Sequence, residues 1–381
     1  MSDEKKPGMG DNLARLRAEL DAVDAQLVLS MAERQRLVGQ IGDLKRGAGQ
    51  QTRDFAREKQ VLEHVRHRAR SADLEPELAS QVLETLIEYS LRRQEQARLS
   101  SDARGAGGRA LVIGGAGRIG RWFAAFLASQ GFAVSIADPK ADPRADGEFA
   151  TWQDAGLDFD VIVIAATLQA SASILDALTD AAPCGLVFDV GSLKSPLRKS
   201  LERAAAAGLK VTSLHPMFGP ATQLLAGRHV IFVDVGCAEA TAEARALFAA
   251  TMAECVTMDI DAHDKLIAAV LGLSHVTNIA FMEALRHCDA PADQLLAISS
   301  TTFDAQIAIS GNVVNENPRL YFEIQRLNEF GNQSVVALKR AIDRIAGLIE
   351  QDDVMEFDRL MRAARTYLAK PDGAPGQASD L

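Results

Sequence analysis

A run of apolar residues, spaced alternately three and four apart, constrains this chain more than any other feature. Leu13, Leu16, Leu20, Val23, Leu27, Leu37, Ile41 and Leu44 mark one seam of a single long helix over residues 11–46. Such a helix is about 50 Å long at ~1.5 Å per residue. A domain of roughly 100 residues is too small to cover it alone, so the seam predicts an intertwined dimer in which a second copy supplies the cover. Two seam positions are polar, Ser30 and Arg34. Burying an unpaired guanidinium costs several kcal/mol. Arg34 therefore implies an anionic partner, and the seam predicts an internal site for a carboxylate-bearing ligand inside a helical bundle.

Other polar residues fall on the same faces. Asp54, Glu58, Val61 and Val65 step by four, three and four, which extends an apolar stripe through two carboxylates, with Arg57 beside them. Ser90 and Gln94 continue the face of Val82, Leu83 and Leu86. Arg34 and Lys45 lie nearly three whole turns apart, whereas Arg17 is rotated about 100° from Arg34 and suits a partner's site better than its own. Each of these, taken alone, is equally a solvated charge or an exposed pair. Together they describe a polar pocket.

The rest of the chain changes character twice. Residues 1–98 form an all-helical domain and 99–108, small and polar, a linker. From 109 to 260, runs such as ALVIG, DVIVIAA and GLVFDV alternate with helical stretches, which predicts an α/β domain with a parallel sheet. Residues 261–369 return to helix as an all-α domain, and 370–381 read as a disordered tail. The net charge of −10 argues against nucleic-acid or anionic-membrane partners. No long unbroken apolar run predicts a membrane span, and the polar start lacks a leader pattern. Cys184, Cys237, Cys255 and Cys288 show no paired spacing, so reduced thiols in a cytoplasmic protein without a metal site are expected.

Within the α/β segment, a strand leads into Gly115-x-Gly117-x-x-Gly120, then a helix, then a strand ending at Asp138. In that context the glycines predict a dinucleotide loop, with Gly115, Gly117, Arg118, Ile119 and Gly120 around the pyrophosphate. Asp138 would hold the ribose hydroxyls and repel a 2′-phosphate, favouring NAD over NADP, although Lys140 and Arg144 follow closely. The loop SLHPMFGP pins His215 between prolines at the carboxyl end of the sheet, where a histidine suits general-base work. His263 is either a cap, a surface residue or part of a site. His64, His67, His229 and His287 carry no motif.

The stretches LRAELDAVDAQLVLSMAERQRLVGQIGDLK, RDFAREK and IEYSLRRQ resemble the all-helical chorismate mutase family over residues 11–96. That resemblance implies rearrangement of chorismate to prephenate. Arg17, Arg34 and Arg57 would clamp the two carboxylates, Lys45 and Gln94 would bond the ether oxygen, and Glu58 the ring hydroxyl. Asp54 and Ser90 would orient the rest. DVGSLKSPL, SLHPMFGP and AHDKLIAAVLGLSHVTNIAF resemble the prephenate dehydrogenases. This second resemblance implies that His215 takes the ring hydroxyl proton while NAD is reduced, that Ser192 lies near the hydroxyl and nicotinamide, that His275 lies near the substrate, and that the all-α region 261–369 is the dimerisation domain. The whole chain thus resembles the bifunctional chorismate mutase–prephenate dehydrogenases of tyrosine biosynthesis. It departs from them after AQIAISG, where Asn312 stands in place of an arginine for a substrate carboxylate and Arg319 or Arg326 is the nearest substitute. Two alternatives follow from Asn312: a dehydrogenase for 4-amino-4-deoxyprephenate, or an NAD-binding half that only regulates.

Overall fold

The computed structural model describes residues 9–48, 50, 52–102 and 104–369; the expected tail lies outside them. The chain divides into two compact units, one of residues 1–104 with 221–228 and 248–253, the other of the remainder.

The first unit is built on three helices, α1 (Met9–Gly47), α2 (Phe55–Ser71) and α3 (Pro76–Asp102). Lys45 and Arg46 in the last turn of α1 complement its dipole. Asp54 caps α2, accepting the Arg57 backbone N–H at 2.9 Å. Gly42 lets α1 approach α3 closely, since a Cβ there would stand 3.1 Å from the Gln94 side chain. The first half of α1 is bare in the single chain: Leu13, Leu16, Leu20, Val23 and Leu27 are each at least half exposed. Helix α3 continues to Asp102 with Leu99 buried, so 99–102 are helical instead of linker. Its buried Glu95 accepts the backbone N–H groups of Leu225 at 2.9 Å and Met252 at 2.6 Å, which draws both segments out of the α/β sequence block and onto the helices.

The second unit opens with an α/β layer: β1 (Arg109–Ile113), α4 (Arg118–Ser129), β2 (Ala133–Ala137), β3 (Glu148–Phe149), α5 (Trp152–Ala155), β4 (Val161–Ile164), α6 (Leu168–Ala181), β5 (Leu186–Asp189), α7 (Arg198–Ala206), β6 (Val211–Pro216), β7 (His229–Val233), α8 (Ala238–Leu247) and β8 (Glu254–Met258). The sheet order is β3-β2-β1-β4-β5-β6-β7-β8. All neighbours are parallel except β6 and β7. The unbroken apolar runs of β1, β4 and β5 are buried because helices cover both faces of a parallel sheet. Leu111, Ile162, Leu175, Leu178, Val187 and Leu201 form one side of that core, each worth ~1.5–3 kcal/mol when fully buried. The strand order reverses at β1, which opens a crevice at the carboxyl ends of β1 and β4.

Helices then follow: α9 (Ile260–Ile267), α10 (Ser274–Arg286), α11 (Ala292–Ala297), α12 (Thr301–Val314), α13 (Pro318–Leu327), α14 (Gly331–Glu350) and α15 (Val354–Leu368). A π-helical segment, Ala268–Leu273, joins α9 to α10. The loosened carbonyls of Ala268 and Gly272 are taken by Ser334 Oγ at 2.8 Å and Gln325 Nε2 at 2.9 Å. By length and composition the continuous run Ile260–Arg286 is apolar enough to cross a membrane, although Ser274, His275 and Asn278 interrupt it and no unbroken apolar stretch marks it in the sequence. Only 22% of its most apolar window is buried within the chain; it carries a polar cluster, with Asn278 Oδ1 accepting from Ser310 Oγ and Gln306 Nε2, and it packs against α12 and α14.

Candidate active sites

The first site is a cavity of about 290 Å³ among the three front helices, lined by Arg34, Lys45, Asp54, Arg57, Glu58, Ser90 and Gln94 over an apolar floor. Seven of the eight front-end candidates therefore converge. Arg34 donates to Ser90 Oγ at 3.0 Å and to the Leu86 carbonyl at 3.2 Å, and burial lowers its pKa from the ordinary value. Its positive charge is thus held beside the cavity by neutral acceptors, without a carboxylate of its own. Gln94 Nε2 bonds the Val38 carbonyl at 2.9 Å, and Lys45 Nζ reaches the Thr52 carbonyl at 3.4 Å.

Two expectations change here. Ser30 is exposed and donates to Gln26 O at 2.9 Å within its own helix, a common resting place for a helical serine, so it takes no part in the cavity. Asp54 and Glu58 do not share a buried stripe. Asp54 is the exposed cap of α2 in extended backbone, where helical spacing does not apply, and Glu58 pairs with Arg53 at 3.1 Å. Arg57 is exposed at the rim. Arg17 is exposed and does not line the cavity of its own chain.

The second site lies in the α/β unit. Between β1 and α4 the glycines hold a turn that side chains would break: a Cβ on Gly115 would stand 2.5 Å from that of Ile136, and one on Gly120 2.2 Å from the Gly114 carbonyl. Gly117 caps α4 without a side chain, which leaves the first N–H groups of the helix to a ligand. Arg118 and Ile119 form the first turn, the Arg118 guanidinium being paired with Glu316. Asp138 closes β2, its carboxylate accepting Lys140 N–H at 2.9 Å and Ala116 N–H at 3.3 Å. A dinucleotide fits this loop: bare helix N–H groups for its pyrophosphate and an adjacent carboxylate for its ribose.

His215 sits at the end of β6, buried, with Nδ1 2.9 Å from His263 Nε2. His263 is also fully buried, and its Nδ1 lies 2.6 Å from Asp264 Oδ1. Asp259, not His263, caps α9, so the cap and surface readings of His263 are both overturned. Asp264 Oδ2 accepts Ser195 N–H at 2.6 Å and its hydroxyl, and the carboxylate also meets Lys194 N–H at 3.0 Å. Burial pushes Asp264 up, but these bonds outweigh it and hold the carboxyl below its usual range. Burial, then neighbouring His263 and Lys194, holds His215 well below the ordinary imidazole value. Ser192 is half-buried on the loop after β5, and β5 pairs with β6 through Asp189 and Ser213, so Ser192 and His215 extend from adjacent strand ends. His275, on α10, stacks at 4.3 Å on Tyr321 and has a buried Nδ1 without a partner among the described residues.

Comparison with known proteins places these features. Residues 16–95 match the model described as chorismate mutase type II, 133–257 the prephenate dehydrogenase nucleotide-binding domain, and 259–363 the prephenate dehydrogenase dimerization domain. A 4-amino-4-deoxyprephenate dehydrogenase of Streptomyces pristinaespiralis is 30% identical over 274 residues, 69% of this chain and 92% of that protein. The chain belongs to the prephenate dehydrogenase family. A T-protein of Enterobacter agglomerans is 27% identical over 352 residues, 91% of this chain and 90% of its own length, so the likeness includes the mutase-like front. The structure of the Aquifex aeolicus prephenate dehydrogenase, solved with hydroxyphenyl propionate and NAD+, shares the fold at a TM-score of 0.55 and 17% identity, over 68% of this chain and 98% of that one.

Within this family fold, the residues that sequence reasoning missed are Lys194, Asp189 and Asp264. Lys194 and Asp264 stand inside the quoted runs DVGSLKSPL and AHDK, yet they look like ordinary surface charges until the folded chain removes them from solvent. Asn312 is exposed on α12. Arg319 and Arg326 instead line a cavity of about 610 Å³ with Leu168, Gln169, Pro196 and Phe322.

Proposed function

We infer that this chain is a two-activity enzyme of tyrosine biosynthesis: a chorismate mutase whose product, prephenate, is oxidised and decarboxylated to 4-hydroxyphenylpyruvate with NAD. The observation that carries this reading is the convergence of Arg34, Lys45, Asp54, Arg57, Glu58, Ser90 and Gln94 on one cavity in front of a prephenate dehydrogenase. The first reaction requires no proton transfer. It needs the enolpyruvyl arm folded over the ring and charge stabilised as the ether bond breaks. Arg34 and, from the rim, Arg57 would hold carboxylates in that geometry. Lys45 and Gln94 would donate to the ether oxygen as it gains charge, and Glu58 would meet the ring hydroxyl. Asp54 and Ser90 orient, the latter by anchoring Arg34. Arg17 would serve the partner's cavity.

In the second reaction NAD, held by Gly115, Gly117, Arg118, Ile119, Gly120 and Asp138, supplies the hydride acceptor. His215 takes the ring hydroxyl proton as the carbonyl forms. When carbon dioxide leaves, its bonding electrons pass through the ring to that oxygen, and His215 returns the proton to the phenol. Ser192 would hold the hydroxyl, and the unpartnered Nδ1 of His275 would meet the substrate. The family's dimerization domain and the bare seam of α1 support a homodimer, and its small soluble substrates and NAD suit work in the cytoplasm.

The test supplies NAD with either chorismate or prephenate. Wild-type protein forms NADH. Arg34→Ala, losing mutase activity by orders of magnitude, forms NADH from prephenate but not from chorismate. His215→Asn consumes chorismate and forms no NADH. A folded variant that lost both activities would defeat the two-site reading.

A further inference from the structure

We propose that His263 and Asp264 are positioning residues that fix which nitrogen of His215 is the base. The proposal rests on His215 being the dehydrogenase base, as argued above.

Asp264 is an acceptor on every side. Its two oxygens take the Lys194 N–H, the Ser195 N–H and the Ser195 hydroxyl, and Oδ1 stands 2.6 Å from His263 Nδ1. A carboxylate so surrounded holds the proton of His263 on Nδ1. A neutral imidazole carries one N–H, so His263 Nε2 is left as a lone pair. That lone pair lies 2.9 Å from His215 Nδ1, so His215 must be the donor. The His215 proton is therefore on Nδ1, and Nε2, which has no hydrogen-bond partner among the described residues, is the lone pair that receives the substrate's proton. When the proton arrives, the His215–His263 bond becomes charge-assisted and strengthens. Both rings are buried, and burial favours the neutral forms this chain of bonds requires.

The device is one residue longer than a Ser-His-Asp triad, in which the carboxylate likewise sets the tautomer of the base. Removing the acceptor frees the His215 ring to rotate and to place its proton on the wrong nitrogen.

The experiment compares His263→Leu, His263→Gln and Asp264→Asn with wild type in prephenate-dependent NADH formation, with chorismate consumption as the check on folding. Leucine offers no acceptor, so kcat should fall roughly 100-fold with KM for prephenate and NAD within about threefold, in line with the contribution of a positioned base. Glutamine offers a carbonyl to His215 Nδ1 and should restore kcat to within about tenfold of wild type. Asp264→Asn can donate to His263 Nδ1 and so reverse every bond in the series; its kcat should fall at least as far as that of the leucine variant. Histidine-selective ¹⁵N spectra of the wild-type protein, assigned with His215→Gln, should show His215 protonated on Nδ1 and bare at Nε2 near neutral pH. A leucine variant within threefold of wild type, equal loss in the leucine and glutamine variants, or an Nε2-protonated His215 would each overturn the proposal. The spectra decide even if a variant fails to fold. Wild-type protein that made no NADH from prephenate would instead overturn the function, and the tautomer would still be read.

Discussion

Lys194 Nζ lies 2.8 Å from Asp189 Oδ2 with both side chains completely withdrawn from solvent. Burial lowers the Lys194 pKa, and the neighbouring Asp189 charge works against that shift. The ammonium also donates to the Leu214 carbonyl at 2.7 Å, and Asp189 accepts the Gly191 N–H at 2.8 Å and the Ser213 hydroxyl. The pair therefore ties the end of β5 to the strand that carries His215. Breaking a buried pair leaves one charge uncompensated and costs about 3–5 kcal/mol. Lys194→Met should lower the unfolding free energy by roughly that amount, and Lys194→Met with Asp189→Asn should be less destabilised than the sum of the two single changes. Urea unfolding of the four proteins measures the coupling. Strict additivity would mean that the two charges do not depend on each other.

Three of the histidines in the dehydrogenase region, His215, His263 and His275, give stability a definite pH dependence. Burial lowers His215, His263 and His275; His263 and Lys194 add to the shift of His215, while the Asp264 and Asp189 charges oppose that of His263. An unfolded histidine takes up a proton near pH ~6.5. Above that value these groups are neutral in both states and contribute nothing to the slope. As pH falls below it, the unfolded chain binds protons that the folded chain refuses, so stability drops with pH. The thermal midpoint should fall between pH 7.5 and 5.5, and less steeply in His215→Gln. A midpoint that held constant or rose over that range would contradict the buried neutral rings. The acid limb of kcat/KM for prephenate oxidation should likewise lie below pH ~6.5.

Most of the architecture was legible because it rests on periodicity. The three-four seam gave α1, and the strand–glycine–helix–acid order gave the nucleotide loop, since both are local patterns. Arg34 was legible as a misfit within such a pattern. Asp54 was misread because spacing arithmetic assumes a helix, and its side chain caps the start of one instead. His263, Asp264 and Lys194 were illegible for the opposite reason. Their burial depends on β5, β6 and α9 meeting, and no local spacing encodes that. Glu95 is a third kind of case: its partners are backbone groups 130 and 157 residues away, invisible to any side-chain pattern.

Arg17 offers a test of the dimer through catalysis. It stands outside its own chain's cavity, on the bare half of α1. If it completes the partner's site, Arg17→Ala and Arg34→Ala chains, each inactive as mutases alone, should complement when refolded together. Half of a random mixture is heterodimer, and each heterodimer holds one site with both arginines intact, so about one quarter of wild-type mutase activity should return. No recovery, with mixed dimers shown to have formed, would place Arg17 in its own chain's chemistry or outside the site altogether.

Asn312 offers a test of how the dehydrogenase grips its substrate. The family resemblance puts an arginine at this place on α12, and here the position is an exposed, uncharged amide. A guanidinium bonded to a carboxylate adds about 1.5–3 kcal/mol over no bond. Asn312→Arg should therefore lower KM for prephenate by roughly tenfold or more, with kcat within a factor of about three, because a carboxylate far from the reacting carbon is held equally in ground and transition states. The same variant, assayed with 4-amino-4-deoxyprephenate, should gain to the same extent, since both substrates carry the carboxylates and differ only at the ring position facing His215. A gain confined to prephenate would show that residue 312 reads the ring substituent instead. An unchanged KM for both would move the carboxylate contact elsewhere, with Arg319→Ala and Arg326→Ala the next variants to assay, because both side chains line the cavity beside Gln169 and Pro196.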